Sequence, residues 1–146
     1  MKKKIVAWFL LFAMMIALVP AGSVQAATYK KGSKGTNVQY LQQNLSFLGF
    51  STQGADGKFG NNTKQAVLEV QKKLGISQTG LVDDALYQRI KNTVADIQKY
   101  LKYKGYYNSS VDGIAGAGTQ KALADFQQEV ALKPTGIVDK DTYLVL

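Results

Sequence analysis

The chain has no Cys and no His at all. That removes thiol nucleophiles, His-ligated zinc and the Ser–His relay. What remains for hydrolytic chemistry is a pair of carboxylates acting on a glycosidic bond. The acids are Asp56, Glu69, Asp83, Asp84, Asp96, Asp112, Asp125, Glu129, Asp139 and Asp141. Four of them are related by one spacing of 56 residues: Asp56 with Asp112, and Asp83 with Asp139. A reaction centre is not expected to be duplicated along a chain, whereas a loop brace or a helix cap is. These acids therefore read as structural, and the chain as non-catalytic, with no cofactor and no metal site.

The same spacing runs through the elements that carry those acids. Asp56-Gly57-Lys58-Phe59-Gly60-Asn61-Asn62-Thr63 returns as Asp112-Gly113-Ile114-Ala115-Gly116-Ala117-Gly118-Thr119. Between residues 38–87 and 94–143, 15 of 50 positions are identical with no gap, which identifies an internal duplication. Asp-Gly is turn chemistry, because Asp bonds the backbone two residues on and Gly accepts positive φ. Apolar Ala66, Val67, Val70 and Leu74 behind the loop form one helical face, with Thr or Asn expected to cap the helix start. Upstream, Thr36 and Gln39 have capping-box spacing, Val38, Leu41, Leu45 and Leu48 are helical, and Gly49 suits a left-handed C-cap. Asp83 then caps a third helix bearing Leu86, Tyr87 and Ile90. Each copy is expected to be three short helices. Lys91-Asn92-Thr93 separates the copies, with Thr93 and Asp96 repeating the capping-box spacing.

Leu-x(3)-Leu, Gly-Phe/Tyr, Asp-Gly-x-x-Gly-x-x-Thr, Val/Phe-Gln and Thr-Gly-x-Val-Asp, in this order and twice over, resemble the small helical peptidoglycan-binding domain of bacterial cell-wall hydrolases. The resemblance covers residues 33–146. It implies an all-α fold of two tandem three-helix bundles, residues 36–91 and 92–146, and a peptidoglycan ligand. It also leaves open that the chain is the targeting half of a hydrolase, or a structural wall protein.

The N-terminus carries Lys2-Lys3-Lys4, an apolar run from Ile5 to Val19, and Val24-Gln25-Ala26. This is the pattern of a secretory signal peptide, residues 1–26, cut after Ala26. An exported, wall-associated monomer is expected, without a membrane partner after cleavage. Residues 27–35 form a polar arm expected to be poorly ordered. After residue 26, fifteen Lys/Arg stand against ten Asp/Glu, a net charge of +5. Export and the single Arg among the fifteen argue against nucleic acid and favour anionic wall polymers as a second partner.

Candidate contacts are Asp56, Gly57, Asp112 and Gly113 in the loops, Gln71 and Gln127 on the second helices, and Tyr103 and Tyr107 beside the second loop. Each has a bland counterpart. The Asp residues fix their loops, a half-buried Gln bonds loop backbone, and the Tyr residues line a helix edge. One exchange stands out between the copies. Phe59 and Val70 are replaced by Ala115 and Phe126, as if a ring moved from loop to helix at nearly constant volume.

Overall fold

The computed structural model describes residues 29–146; the expected signal peptide lies outside the described residues. These residues form α1 (Thr36–Phe47), α2 (Asn61–Lys73), α3 (Asp84–Tyr103), α4 (Ala117–Glu129) and α5 (Lys140–Tyr143). The only strand-like pairings among them are two isolated bridges, Tyr29 to Val82 and Lys34 to Lys58. The fold is all-α and tandem, as the duplication implies. Val38, Leu41, Leu45, Phe59, Ala66, Val67 and Val70 build one core with Val82, Leu86 and Ile90. Val94, Ile97, Leu101, Tyr107, Ala115, Ala122, Leu123 and Phe126 build the other. Phe59 and Val70 both lie in the first core, and Ala115 and Phe126 both lie in the second.

Helix ends follow the turn chemistry closely. The Phe50 N–H donates to the Leu45 carbonyl, and Ile76, Tyr106 and Leu132 repeat that bond to Gln71, Leu101 and Gln127. Each closes a Schellman turn around a residue of positive φ: Gly49, Gly75, Gly105 and, in one case, Ala131. Helix starts depart from expectation. The cap positions of α1, α2 and α4 are Gly35, Gly60 and Gly116, with no side-chain cap bond. Thr63 and Thr119 are buried instead, their hydroxyls accepting from glutamines rather than capping.

The copies are not separated at residues 91–93. The third helix of the first copy and the first helix of the second are one helix, α3. Leu86, Ile90, Val94, Ile97 and Leu101 make a single buried stripe along it, the first two in one core and the rest in the other. A break would tilt half of this stripe away from its core. The Thr93 hydroxyl, expected to cap a new helix, donates to the Arg89 carbonyl one turn back, at 2.9 Å.

The arm is also ordered from Tyr29 onward, and its bonds explain how the copies join. In the first copy Tyr29 and Val82 exchange both backbone bonds, at 2.8 and 2.9 Å. Gly35 N–H donates to Gly57 O, and Phe59 N–H donates to Ser33 O, both at 2.9 Å. The matching groups of the second copy, Val138 N–H, Gly113 O and Ala115 N–H, cannot use an equivalent arm, because that stretch is now helical. They are met by α1. Val138 N–H donates to Phe47 O at 2.8 Å. The Asn44 amide donates to Gly113 O at 2.9 Å and accepts from Ala115 N–H at 2.8 Å. A side-chain amide here does the work of a peptide group.

Phe47 goes further, since its ring is buried in the second core although it sits on a helix of the first copy. Burying such a ring stabilises by roughly 2–3 kcal/mol. Leu48 packs against both cores. The Lys73 ammonium adds a link, lying 5.5 Å from the Phe50 ring centre and 5.4 Å from that of Tyr143. The two copies are one interlocked unit.

Candidate functional site

The Asp-Gly loops are held by two residues with no candidate role in the sequence reading, Gln42 and Gln98. They lie 56 residues apart, on the inner faces of α1 and α3, and are 2% and 0% exposed. Nε2 of Gln42 donates to Asp56 Oδ1 (3.0 Å), Lys58 O (2.9 Å) and Thr63 Oγ1 (3.0 Å), while its Oε1 accepts from Gly57 N–H at 2.8 Å. Gln98 shares its amide hydrogens among Asp112 Oδ1, Ile114 O, Thr119 Oγ1 and the Tyr107 hydroxyl. Its Oε1 accepts from Asp112 and Gly113 N–H. A buried amide needs all its bonds, and the loop wraps the amide to supply them. The available signal was an identical Gln in both copies on an otherwise apolar helical face.

Asp56 and Asp112 complete these loops from inside. Each Oδ1 also accepts a backbone N–H two residues on, from Lys58 and Ile114 respectively. The Gln42 amide first, then the Lys58 backbone N–H, holds the Asp56 carboxyl below the usual carboxylate range. Gly57 and Gly113 have φ near +71°, and a Cβ on Gly113 would stand 2.7 Å from the Lys91 carbonyl oxygen. Only glycine suits this place.

Gln71 and Gln127 perform the same service for the Thr-Gly turns. Both are buried. Gln71 donates to Thr79 Oγ1 and Leu81 O and accepts from Gly80 N–H. Gln127 donates to Thr135 Oγ1, Ile137 O and Thr142 Oγ1 and accepts from Gly136 N–H. Their amides face loop backbone, the first of the two roles open to them. Asp83 and Asp139 cap α3 and α5, accepting from Leu86 and Thr142 N–H at 2.8 Å. The Thr142 bonds lower the Asp139 pKa.

Tyr103 and Tyr107 do not share a surface. Tyr103 is 85% exposed at the end of α3, with the Lys104 ammonium 6.0 Å from its ring centre. Tyr107 is buried, its hydroxyl donating to Ser110 O at 2.8 Å and accepting from Gln98. Tyr100, also unmatched between copies, meets Phe126 edge-on at 5.7 Å.

The first copy carries an open polar cleft of about 350 Å³ between loop 52–60 and the start of α2. Gln42, Thr52, Asp56 and Thr63 form its floor and loop side, with Gln53, Lys58, Asn61 and Asn62 at its rim. It is lined by groups that donate and accept hydrogen bonds, the chemistry of non-covalent recognition. Glu69 and Glu129 are exposed on their helices. Among the described residues, no three His, Cys, Asp or Glu side chains converge as a metal site.

Two small helical units, each spending its buried amides on bracing loops, define a tandem loop-presenting scaffold. The chain belongs to the family described as "Putative peptidoglycan binding domain", whose model matches it twice, at residues 34–90 and 91–146. It is 32% identical over 151 residues to a "Probable N-acetylmuramoyl-L-alanine amidase" of Bacillus licheniformis, covering 77% of this chain and 42% of that protein. A "Spore cortex-lytic enzyme" of Bacillus subtilis (strain 168) is 42% identical over 50 residues, covering 34% of this chain and 16% of that enzyme. The chain spans less than half the length of these relatives. No solved structure matches it.

Proposed function

We propose that the protein is exported and binds cell-wall peptidoglycan without cleaving it, using braced loops on a rigid two-copy scaffold. The observation that carries this reading is the double family match across nearly all the described residues, with both Asp-Gly loops held at the surface by buried glutamines. The four acids paired by the duplication brace loops or cap helices, which supports a structural role for them. The net charge of +5 adds an attraction to anionic wall polymers, and exposed Tyr103 offers a flat face for a sugar ring.

The test is co-sedimentation of the mature protein with purified peptidoglycan. Recovery in the pellet at low salt is expected, and complete recovery in the supernatant would remove the reading. Binding abolished at moderate salt would reassign it to charge alone, since exposed charges are screened beyond about 8 Å at physiological ionic strength.

A second reading is that the chain is the targeting part of a cell-wall hydrolase. Its support is the named activity of the relatives and the partial coverage of them. A zymogram separates lysis from binding: the pure protein is expected to leave no cleared band, and a cleared band would replace the non-catalytic reading.

A further inference from the structure

We propose that the first copy alone holds the ligand site, in the cleft beside α2, and that this site recognises an acylamino group. The inference rests on the peptidoglycan-binding reading and says where and how binding occurs. Its core is one pair of side chains. Asn62 Nδ2 donates to Gln53 Oε1 at 2.9 Å across the cleft rim. That bond uses one end of each amide. Gln53 keeps its NH2 donor and Asn62 its carbonyl acceptor for a ligand. A ligand amide presents the complementary carbonyl and N–H, so it can accept from one and donate to the other. Asp56 adds a carboxylate oxygen, Oδ2, that its loop bonds leave uncommitted.

The backbone marks the same residue. Gln53 has φ of +57°, a conformation that costs a non-glycine residue on the order of 1–2 kcal/mol. Gly54 follows it with φ of +125°. A glycine at 53 would remove the strain and the amide together.

The second copy keeps the carboxylate, as Asp112, but lacks the amide pair. Gln53, Asn61 and Asn62 correspond to Ser109, Ala117 and Gly118. Ser109 is not among the residues of positive φ. Tyr107 brings its buried ring and hydroxyl up to the Gln98 brace, where the first copy has an exposed serine, Ser51. The second loop is completed by Asn44 of the first copy, where the arm completes the first loop.

The test uses the mature full chain in four forms: wild type, Gln53→Gly, Asn62→Ala and, as a control in the second copy, Ser109→Ala. Affinity for purified peptidoglycan is measured by sedimentation and stability by thermal melting. Gln53→Gly and Asn62→Ala are expected to weaken binding at least tenfold, Gln53→Gly without lowering Tm, and Ser109→Ala to change neither. If wild type binds and both cleft variants bind within twofold of it, the inference is wrong although peptidoglycan binding stands. If wild type does not bind, the reading beneath it has failed.

Two sources of the acylamino group are separated by NMR titration of the side-chain amides with peptide-free glycan strands and with isolated stem peptides. Shifts of the Gln53 and Asn62 NH2 signals with glycan alone assign the N-acetyl group, and with peptide alone the stem-peptide amide. Shifts with neither overturn the site.

Discussion

Replacing Asn44 by Ala tests whether one side chain joins the two copies. Asn44 is 4% exposed and both ends of its amide are bonded to the second loop. Truncation leaves the Gly113 carbonyl and the Ala115 N–H buried without partners, at about 1–3 kcal/mol each. A loss of roughly 2–6 kcal/mol follows, against a total stability of about 5–15 kcal/mol for a domain. With an unfolding entropy near 2.1 cal/mol/K per residue, 1 kcal/mol is about 4 °C for a chain of this size. The expected fall in Tm is therefore about 8–24 °C by calorimetry. Exposed Asn37→Ala should stay within about 2 °C, since surface changes typically cost under 0.5 kcal/mol. Native-state amide exchange should show Ala115 N–H losing protection more than the α2 amides do. Because α3, Asn44 and Phe47 are shared, the wild type should melt in one transition. Two resolved transitions in the wild type, or an Asn44→Ala shift under about 2 °C, would refute the reasoning.

Three further outcomes are expected. Ala131 has φ of +60° where the first copy has Gly75, so Ala131→Gly should stabilise by roughly 0.5–1 kcal/mol in urea unfolding, and a loss of stability would deny the strain. Phe59→Ala should destabilise by about 3–5 kcal/mol, and Phe59→Ala with Val70→Phe should recover much of it; no recovery would show that the two sites do not share one space. The lowered pKa values of Asp56 and Asp139 mean that the fold favours their charged forms. Their contribution is complete above about pH 5 and lost as pH falls through the depressed folded values, so Tm should hold from about pH 5 to 9 and drop below about pH 4. A Tm that rises on acidification from pH 5 to 3 would contradict the sign.

The sequence by itself determined the duplication, the helical class and the turns, because these depend on neighbours along the chain. The spacing of Val38, Leu41 and Leu45, the glycines at 49, 75 and 105, and the Asp caps at 83 and 139 are local devices, and each acts locally in the structure. Chain-distant groups decided the rest. Whether Lys91-Asn92-Thr93 breaks or continues a helix depends on both cores lying along one stripe, and burial outweighed the capping propensity of Thr93. Gln42 and Gln98 read as polar residues on an apolar face until their loops close over them. Asn44 and Phe47 look like ordinary residues of a first-copy helix, yet they complete the second copy, because Gly113, Ala115 and Val138 lack the arm that serves their counterparts. A duplicated sequence predicts two equal halves. Only packing shows that the second is finished by the first, since a hydrogen bond left unmade in a buried loop is satisfied by whatever the tertiary fold brings near.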